Sequence, residues 1–292
     1  MFPVLFTIGD FPITSFGLMM FFSFLSGAWL LSRMLERYGF DRDIAWDMLA
    51  WIAIGGILGA KAYYLALNWE DLVRNPMGEI FSRGGLVWYG GLIGGVTAYY
   101  LQIRSRKLPT AVMYDATAPA LAVAYAVGRL GCFLVGDDYG RYTTSPIGMA
   151  FPKGAPPSTA GNLRYQFGDT SIPASIPDSM VVTVHPTQLY EIGLALVMFV
   201  ILWQVGKRLL RPGHLFALFL AMYAVERFLI EFVRAKGDRF VFGLSTSQVM
   251  SVLTLIAAAI VWYTQRNKPV WDPANAPKPA RTAGTKTSRA TA

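Results

Sequence analysis

Cysteine and histidine are almost missing: the 292 residues hold one cysteine, Cys132, and two histidines, His185 and His214. A single cysteine excludes an intrachain disulfide and a multi-cysteine metal site. Two histidines are too few for a polyhistidine zinc centre, and no metal or organic cofactor is expected. Charge is scarce as well. Asp, Glu, Lys and Arg make up 15% of the chain, against about 25% in an average soluble domain. The N-terminus has no basic run, and no small-residue cleavage site follows the first apolar segment, so that segment is expected to stay as a span. The net charge of +8 is scattered between apolar runs instead of forming one face, which argues against nucleic-acid binding.

What is abundant is apolar surface. Hydrophobic residues make up 54% and mean hydropathy is +0.40, the composition of a membrane protein. Seven runs of about twenty residues are long enough to cross a bilayer: Ile13–Ser32, Trp46–Leu67, Gly85–Ile103, Ala111–Val135, Thr187–Gly206, Gly213–Val233 and Ser245–Thr264. The expected fold is an all-α membrane protein, a bundle of seven transmembrane helices in one domain over 1–268. An outer, periplasmic-side head, 136–184, separates spans four and five, and 269–292 reads as a disordered basic tail. Of the 26 Lys and Arg residues, fifteen fall in the tail and in loops after odd-numbered spans, eight in the opposite loops, and Lys61, Arg129 and Arg227 within spans. The positive-inside rule then puts the N-terminus outside and the C-terminus in the cytoplasm.

Arg129 and Arg227 are the conspicuous residues. An arginine at the centre of a span costs roughly 2.5–3.5 kcal/mol on translocon scales, so it marks a partner, a watery cavity or a ligand. Arg129 opens the run Gly128–Arg141 (GRLGCFLVGDDYGR), whose outer end adds Asp137, Asp138, Gly140 and Arg141. A phosphate on Arg129 would gain a bidentate, charge-assisted contact; a register-fixing salt bridge to Glu231 or Asp137 is the other reading. Cys132 reads as a small buried side chain. Tyr223, Arg227 and Glu231 stand at i, i+4 and i+8, one polar stripe in which Arg227 can pair with Glu231. His185–Glu191 (HPTQLYE) begins the fifth span and carries Gln188, Tyr190 and Glu191, with Thr187 as a plausible N-cap. His185 could work as a base near neutral pH or sit as an ordinary interface residue. Gly84–Gly95 has six glycines in twelve residues around Tyr89, and Gly90 and Gly91 admit close approach by either a neighbouring helix or a ligand.

In this order, from Ser15–Met19 to the Tyr223–Arg234 helix, the stretches resemble the bacterial prolipoprotein diacylglyceryl transferase family. The pattern GRLG-x-F-x-x-G-[DE]-x-x-GR and the HPTQLYE segment are its most specific parts. The resemblance implies transfer of the diacylglyceryl group of phosphatidylglycerol to the lipobox cysteine thiol of a prolipoprotein signal peptide, forming a thioether and releasing glycerol phosphate. By position it implies lipid-binding and catalytic roles for Arg129, Asp137, Gly140, Tyr223, Arg227 and Glu231. Four positions depart from the family pattern. Tyr89 stands for a histidine, Asp137 for the usual glutamate, Cys132 for an asparagine and Phe16 for a tyrosine.

The chemistry this implies is a displacement at carbon. Its main demand is to stabilise charge gathering on the departing phosphate, which suits two arginines in a low-dielectric site. Arg129, Asp137, Gly140, Arg141, Tyr223, Arg227, Gly90, Gly91, Gln188, Tyr190 and Glu191 are the expected lipid-contacting residues. The thiol proton is expected to go to His185, then Glu231, then Tyr89 in order of preference. The alternative is a catalytically altered paralogue, a lipid-binding or transport protein of the bacterial inner membrane.

Overall fold

The computed structural model describes residues 1–9, 11–82, 85–208, 211–235 and 243–277. Gly84 of the glycine run, the basic residues Arg83, Lys236 and Arg239, and the tail from Lys278 onward lie outside the described residues.

Each expected span coincides with a helix. They are α1 (Ser15–Arg37), α2 (Ile44–Leu67), α5 (Trp88–Ser105), α6 (Thr110–Val135), α7 (Thr187–Val205), α8 (His214–Ile230) and α9 (Thr246–Gln265). Among the described residues, α1, α2, α6, α7 and α9 are long and apolar enough to cross a membrane. The chain is thus an α-helical, multi-pass membrane protein. At 17 residues, α8 reaches about 26 Å, somewhat less than a hydrocarbon core of about 30 Å. The sequence reading missed a hairpin, β1 (Val4–Ile8) against β2 (Phe11–Thr14), and two short helices, α3 (Trp69–Arg74) and α4 (Pro76–Phe81). Runs of four to six residues carry too little periodicity to be told from loop.

The chain divides into two compact units. Among the described residues the first comprises 1–31 and 109–271, the second 32–108 and 272–277. In the second, α2 packs along α5. A Cβ on Gly90 would run into the Gly59 carbonyl, and one on Gly94 into the Gly55 carbonyl. Each helix thus offers a Gly-x-x-x-Gly face to the other, and the backbones touch because no side chain intervenes. Gly91 meets Gly56 O at ordinary van der Waals range. Of the two readings of Gly90 and Gly91, helix packing is what fills their surroundings. Pro273–Asn275 forms one 3₁₀ turn whose Pro273 carbonyl closes over Gly39.

In the first unit, α6, α7 and α8 pack on one another and α9 on α8. The buried face of α7 is Thr187, Gln188, Glu191, Ala195, Met198 and Leu202, a helical stripe that is polar only in its first turns. Helix α8 begins against a buried carboxylate from α6: Asp115 accepts from Gly213 N at 2.6 Å and Phe216 N at 2.8 Å, satisfying amides that a helix start leaves open. Between α6 and α7 the expected head is ordered around an apolar core of Tyr139, Phe151, Ala160, Leu163, Ile172, Val182 and Val184, which Ala235 from beyond α8 completes. A two-residue pairing of β3 (Met149–Ala150) with β4 (Thr183–Val184) and the buried Ser158 hydroxyl, which accepts from Phe151 N and donates to Val182 O, tie it together.

Candidate active site

The polar residues of α6, α7 and α8 converge in the first unit at the ends of these helices nearest the head. Glu191, in the second turn of α7 and wholly buried, joins the two arginines. Its Oε2 lies 2.8 Å from Arg129 Nε, and its Oε1 accepts from Arg227 Nη1 at 2.5 Å. Arg227 also donates to Glu231 Oε2 at 3.3 Å, as the i, i+4 spacing led one to expect. Arg129 Nη1 donates to Asp138 Oδ2 at 2.9 Å, and Arg234 Nη2 to Asp138 Oδ1 at 2.5 Å. The result is an alternating chain: Arg234, Asp138, Arg129, Glu191, Arg227, Glu231. Three guanidiniums meet three carboxylates.

Both intramembrane arginines are therefore paired, but Arg129 has neither of the partners the sequence suggested. Glu231 stays with Arg227 on its own helix end, and no ion pair joins Asp137 to Arg129 among the described residues. The pairing of Arg129 falls to Asp138 and Glu191. Buried ion pairs in this density are expensive to desolvate and strongly destabilising to break. An apolar core would hold the helices at no such cost, so geometry alone gives little reason for them.

Aromatic rings line the inner side. The Arg129 guanidinium lies 5.5 Å from the centre of the Tyr125 ring, which meets Tyr223 edge-on at 5.6 Å. The Tyr125 hydroxyl is 3.4 Å from Glu226. Arg129 Nη1 also reaches the Cys132 sulfur at 3.7 Å. Cys132, Asp137 and Asp138 place possible ligand atoms within 4.8 Å of one another, the one such group among the described residues. Asp138 is already committed to two cations, so the group reads as part of the ion-pair chain.

The loop after α6 is set by its surroundings. Gly136 caps the helix in the left-handed conformation, and Asp138 follows at φ 57°. Gln188 Nε2 donates to Asp137 O at 2.5 Å and Thr187 Oγ1 to Asp138 O at 2.7 Å. So Thr187, expected as an N-cap, instead fixes this loop. Tyr139 anchors it in the head core, stacked on Phe151, and burial holds its phenol above the ordinary range. Gly140 has no room for a side chain: a Cβ would strike the Val233 carbonyl and the His185 and Thr187 side chains. Gly140 N donates to His185 O, and Arg141 N to Val233 O. Burial and the adjacent Asp138 push the Asp137 carboxyl up to about 6, and its Oδ1 has no hydrogen bond.

The other expected residues divide clearly. His185 Nδ1 is 3.2 Å from the Tyr190 hydroxyl, so these two pair with each other. Arg141 Nε donates to Arg234 O, and Arg141 lines a cavity of about 60 Å³ together with Glu231, Phe232, Gly243, Leu244, Ser245 and Gln248. That space suits water, not a lipid headgroup. Tyr89, Gly90 and Gly91 belong to α5 in the second unit. The sequence reading overlooked Asp138 and Arg234 as site residues. The carboxylate after Asp137 was the available signal for the first; Arg234, counted among the outer-loop charges, gave none.

Most of the chain has relatives. A family model described as prolipoprotein diacylglyceryl transferase matches residues 3–264. Proteins named phosphatidylglycerol–prolipoprotein diacylglyceryl transferase are similar throughout. That of Chlorobaculum tepidum is 36% identical over 90% of both chains. That of Clostridium tetani is 32% identical over 90% of this chain and 98% of its own, and that of Enterococcus faecalis 30% over 91% of both. With buried arginines at the positions the sequence pattern marks and a match this extensive, the chain belongs to the prolipoprotein diacylglyceryl transferase family.

Proposed function

We infer that this chain transfers the diacylglyceryl group of phosphatidylglycerol to prolipoproteins, and that the Arg129–Glu191–Arg227 cluster is where the lipid phosphate is held. The acceptor thiolate attacks the glyceryl carbon that bears the phosphate ester. A C–S bond forms, the C–O bond breaks, and glycerol phosphate leaves carrying the added negative charge. The observation that carries this reading is the pair of guanidiniums, from α6 and α8, buried on one shared carboxylate. Held in place before the reaction, they stabilise the departing phosphate without reorganising as charge develops.

The proton acceptor is a carboxylate in this reading. Asp137 has a buried, unpaired Oδ1 and a carboxyl raised to about 6, a useful range for a base at neutral pH. Glu231 has an unpaired, buried Oε1 and borders the small cavity. His185 is engaged with Tyr190. This ordering departs from the preference for histidine that the sequence suggests. Tyr223, Gly140, Gln188 and Tyr190 shape the surroundings of the arginines, and Arg141 closes the mouth.

Seven spans, an N-terminus outside and a C-terminus in the cytoplasm of a bacterial inner membrane complete the proposal. It places the head beside signal peptides emerging at the outer leaflet, and phosphatidylglycerol comes sideways from the bilayer. The test is a lipidation assay with purified protein, phosphatidylglycerol vesicles and a lipobox peptide. The peptide gains the mass of one diacylglyceryl unit, and Arg129→Ala removes that gain. Lipid binding with no mass gain in the unaltered protein would favour the paralogue reading that Tyr89, in place of the family's histidine, keeps open.

A further inference from the structure

We propose that Asp138 is an internal stand-in for the substrate phosphate, and that Arg234 is a further phosphate-binding residue beside Arg129. The inference rests on the reading that this site takes the phosphodiester of an anionic lipid. Asp138 bridges two guanidiniums with its two oxygens, Oδ2 to Arg129 at 2.9 Å and Oδ1 to Arg234 at 2.5 Å. The two non-bridging oxygens of a phosphodiester make the same pair of charge-assisted contacts.

Among the three carboxylates of this ion-pair network, Asp138 is the one placed to yield. Its side chain is 41% exposed, whereas Glu191 and Glu231 keep 1% and 3%. Its backbone is fixed: Thr187 and Gln188 hold the carbonyls of Asp138 and Asp137, and Tyr139 is packed in the head. The carboxylate can therefore leave by rotation of its own side chain, without loop motion. The phosphate then takes over Arg129 and Arg234, while Glu191 keeps Arg129 oriented and holds Arg227 next to it for the charge that develops on departure. Position 138 is one of the open positions in the GRLG-x-F-x-x-G-[DE]-x-x-GR pattern, so the device belongs to this chain's own residues.

The consequence is a competition. Without the carboxylate, buried Arg234 loses this counter-charge in the empty protein. An uncompensated buried cation destabilises that state, whereas the lipid-bound state has the phosphate instead. Binding therefore tightens. The experiment uses full-length protein, phosphatidylglycerol diluted in phosphatidylcholine vesicles, and a lipobox peptide. Asp138→Asn is expected to lower KM for phosphatidylglycerol and the inhibition constant of glycerol phosphate by at least about threefold each. Arg234→Gln is expected to raise both. A merely structural Asp138 would lower Tm and leave KM unchanged or higher, and that result overturns the proposal.

A second readout is the rise in Tm of Asp138→Asn on adding glycerol phosphate or inorganic phosphate, compared with phosphatidylglycerol. A larger shift than in the unaltered protein with either free phosphate shows recognition of phosphate itself; a larger shift with phosphatidylglycerol alone shows recognition of the lipid headgroup. Both support the exchange, and an enlarged shift with none of them refutes it. Should the unaltered protein lipidate no peptide, the transferase reading fails, and the thermal measurement still decides the exchange.

Discussion

Glu191 shows what the site asks of single residues. One buried carboxylate orients two guanidiniums from different helices. Removing one member of such a buried group typically costs 3–5 kcal/mol. Glu191→Gln is therefore expected to lower stability by about that amount in chemical or thermal unfolding in detergent, and to lower activity beyond the stability loss. The sequence exposed Arg129, Arg227 and Glu231, since charges stand out in apolar spans. It marked Glu191 as a lipid contact but not as the link between the arginines, and it hid Arg234, which looks like any loop cation. Ion-pair partners depend on helix rotation, which spacing along a single helix does not reveal. Asp137 carries a pH prediction. Its pKa is raised to about 6, so the folded protein favours the protonated form. Its contribution to stability is complete below the ordinary aspartate range and is lost as pH rises through about 6. Activity has the opposite sign, because a base must be ionised. kcat/KM is expected to climb as pH rises through about 6, with that limb absent in Asp137→Asn and retained in His185→Gln. A limb lost only in His185→Gln would return the role to the imidazole.

At the scale of elements, the α2–α5 contact depends on glycine. The Gly94 Cβ position is occupied by the Gly55 carbonyl, so Gly94→Leu must part the helices. Overpacking of this kind costs about 1–3 kcal/mol. Gly193 on α7 has nothing within 4 Å of its Cβ position, and Gly193→Ala is expected to leave Tm unchanged in the same unfolding experiment. Long apolar runs made the seven helices legible to within a few residues. The head was not legible, because its core comes from scattered residues such as Tyr139, Phe151, Leu163 and Val182. Their partners are fixed by loop geometry, with no periodic pattern to announce them.

For the whole molecule, the excess of basic residues on one side predicts a topology. With Cys132 as the only native thiol, cysteines can be introduced singly. Thr144→Cys in the head should react with a membrane-impermeant maleimide in intact cells, and Lys268→Cys beyond α9 only after permeabilisation. The reverse pattern would invert the orientation and set the arginine cluster at the wrong leaflet for secreted precursors.

The central claim is that Arg129 and Arg227 act on charge at the departing phosphate. Single-turnover lipidation with saturating phosphatidylglycerol isolates that step from binding and release. Arg129→Lys and Arg227→Lys keep the charge and lose the planar donor fork. Each is expected to slow the chemical step by about 10²–10³, with phosphatidylglycerol still bound. Single-turnover rates equal to that of the unaltered protein in both variants would contradict the account.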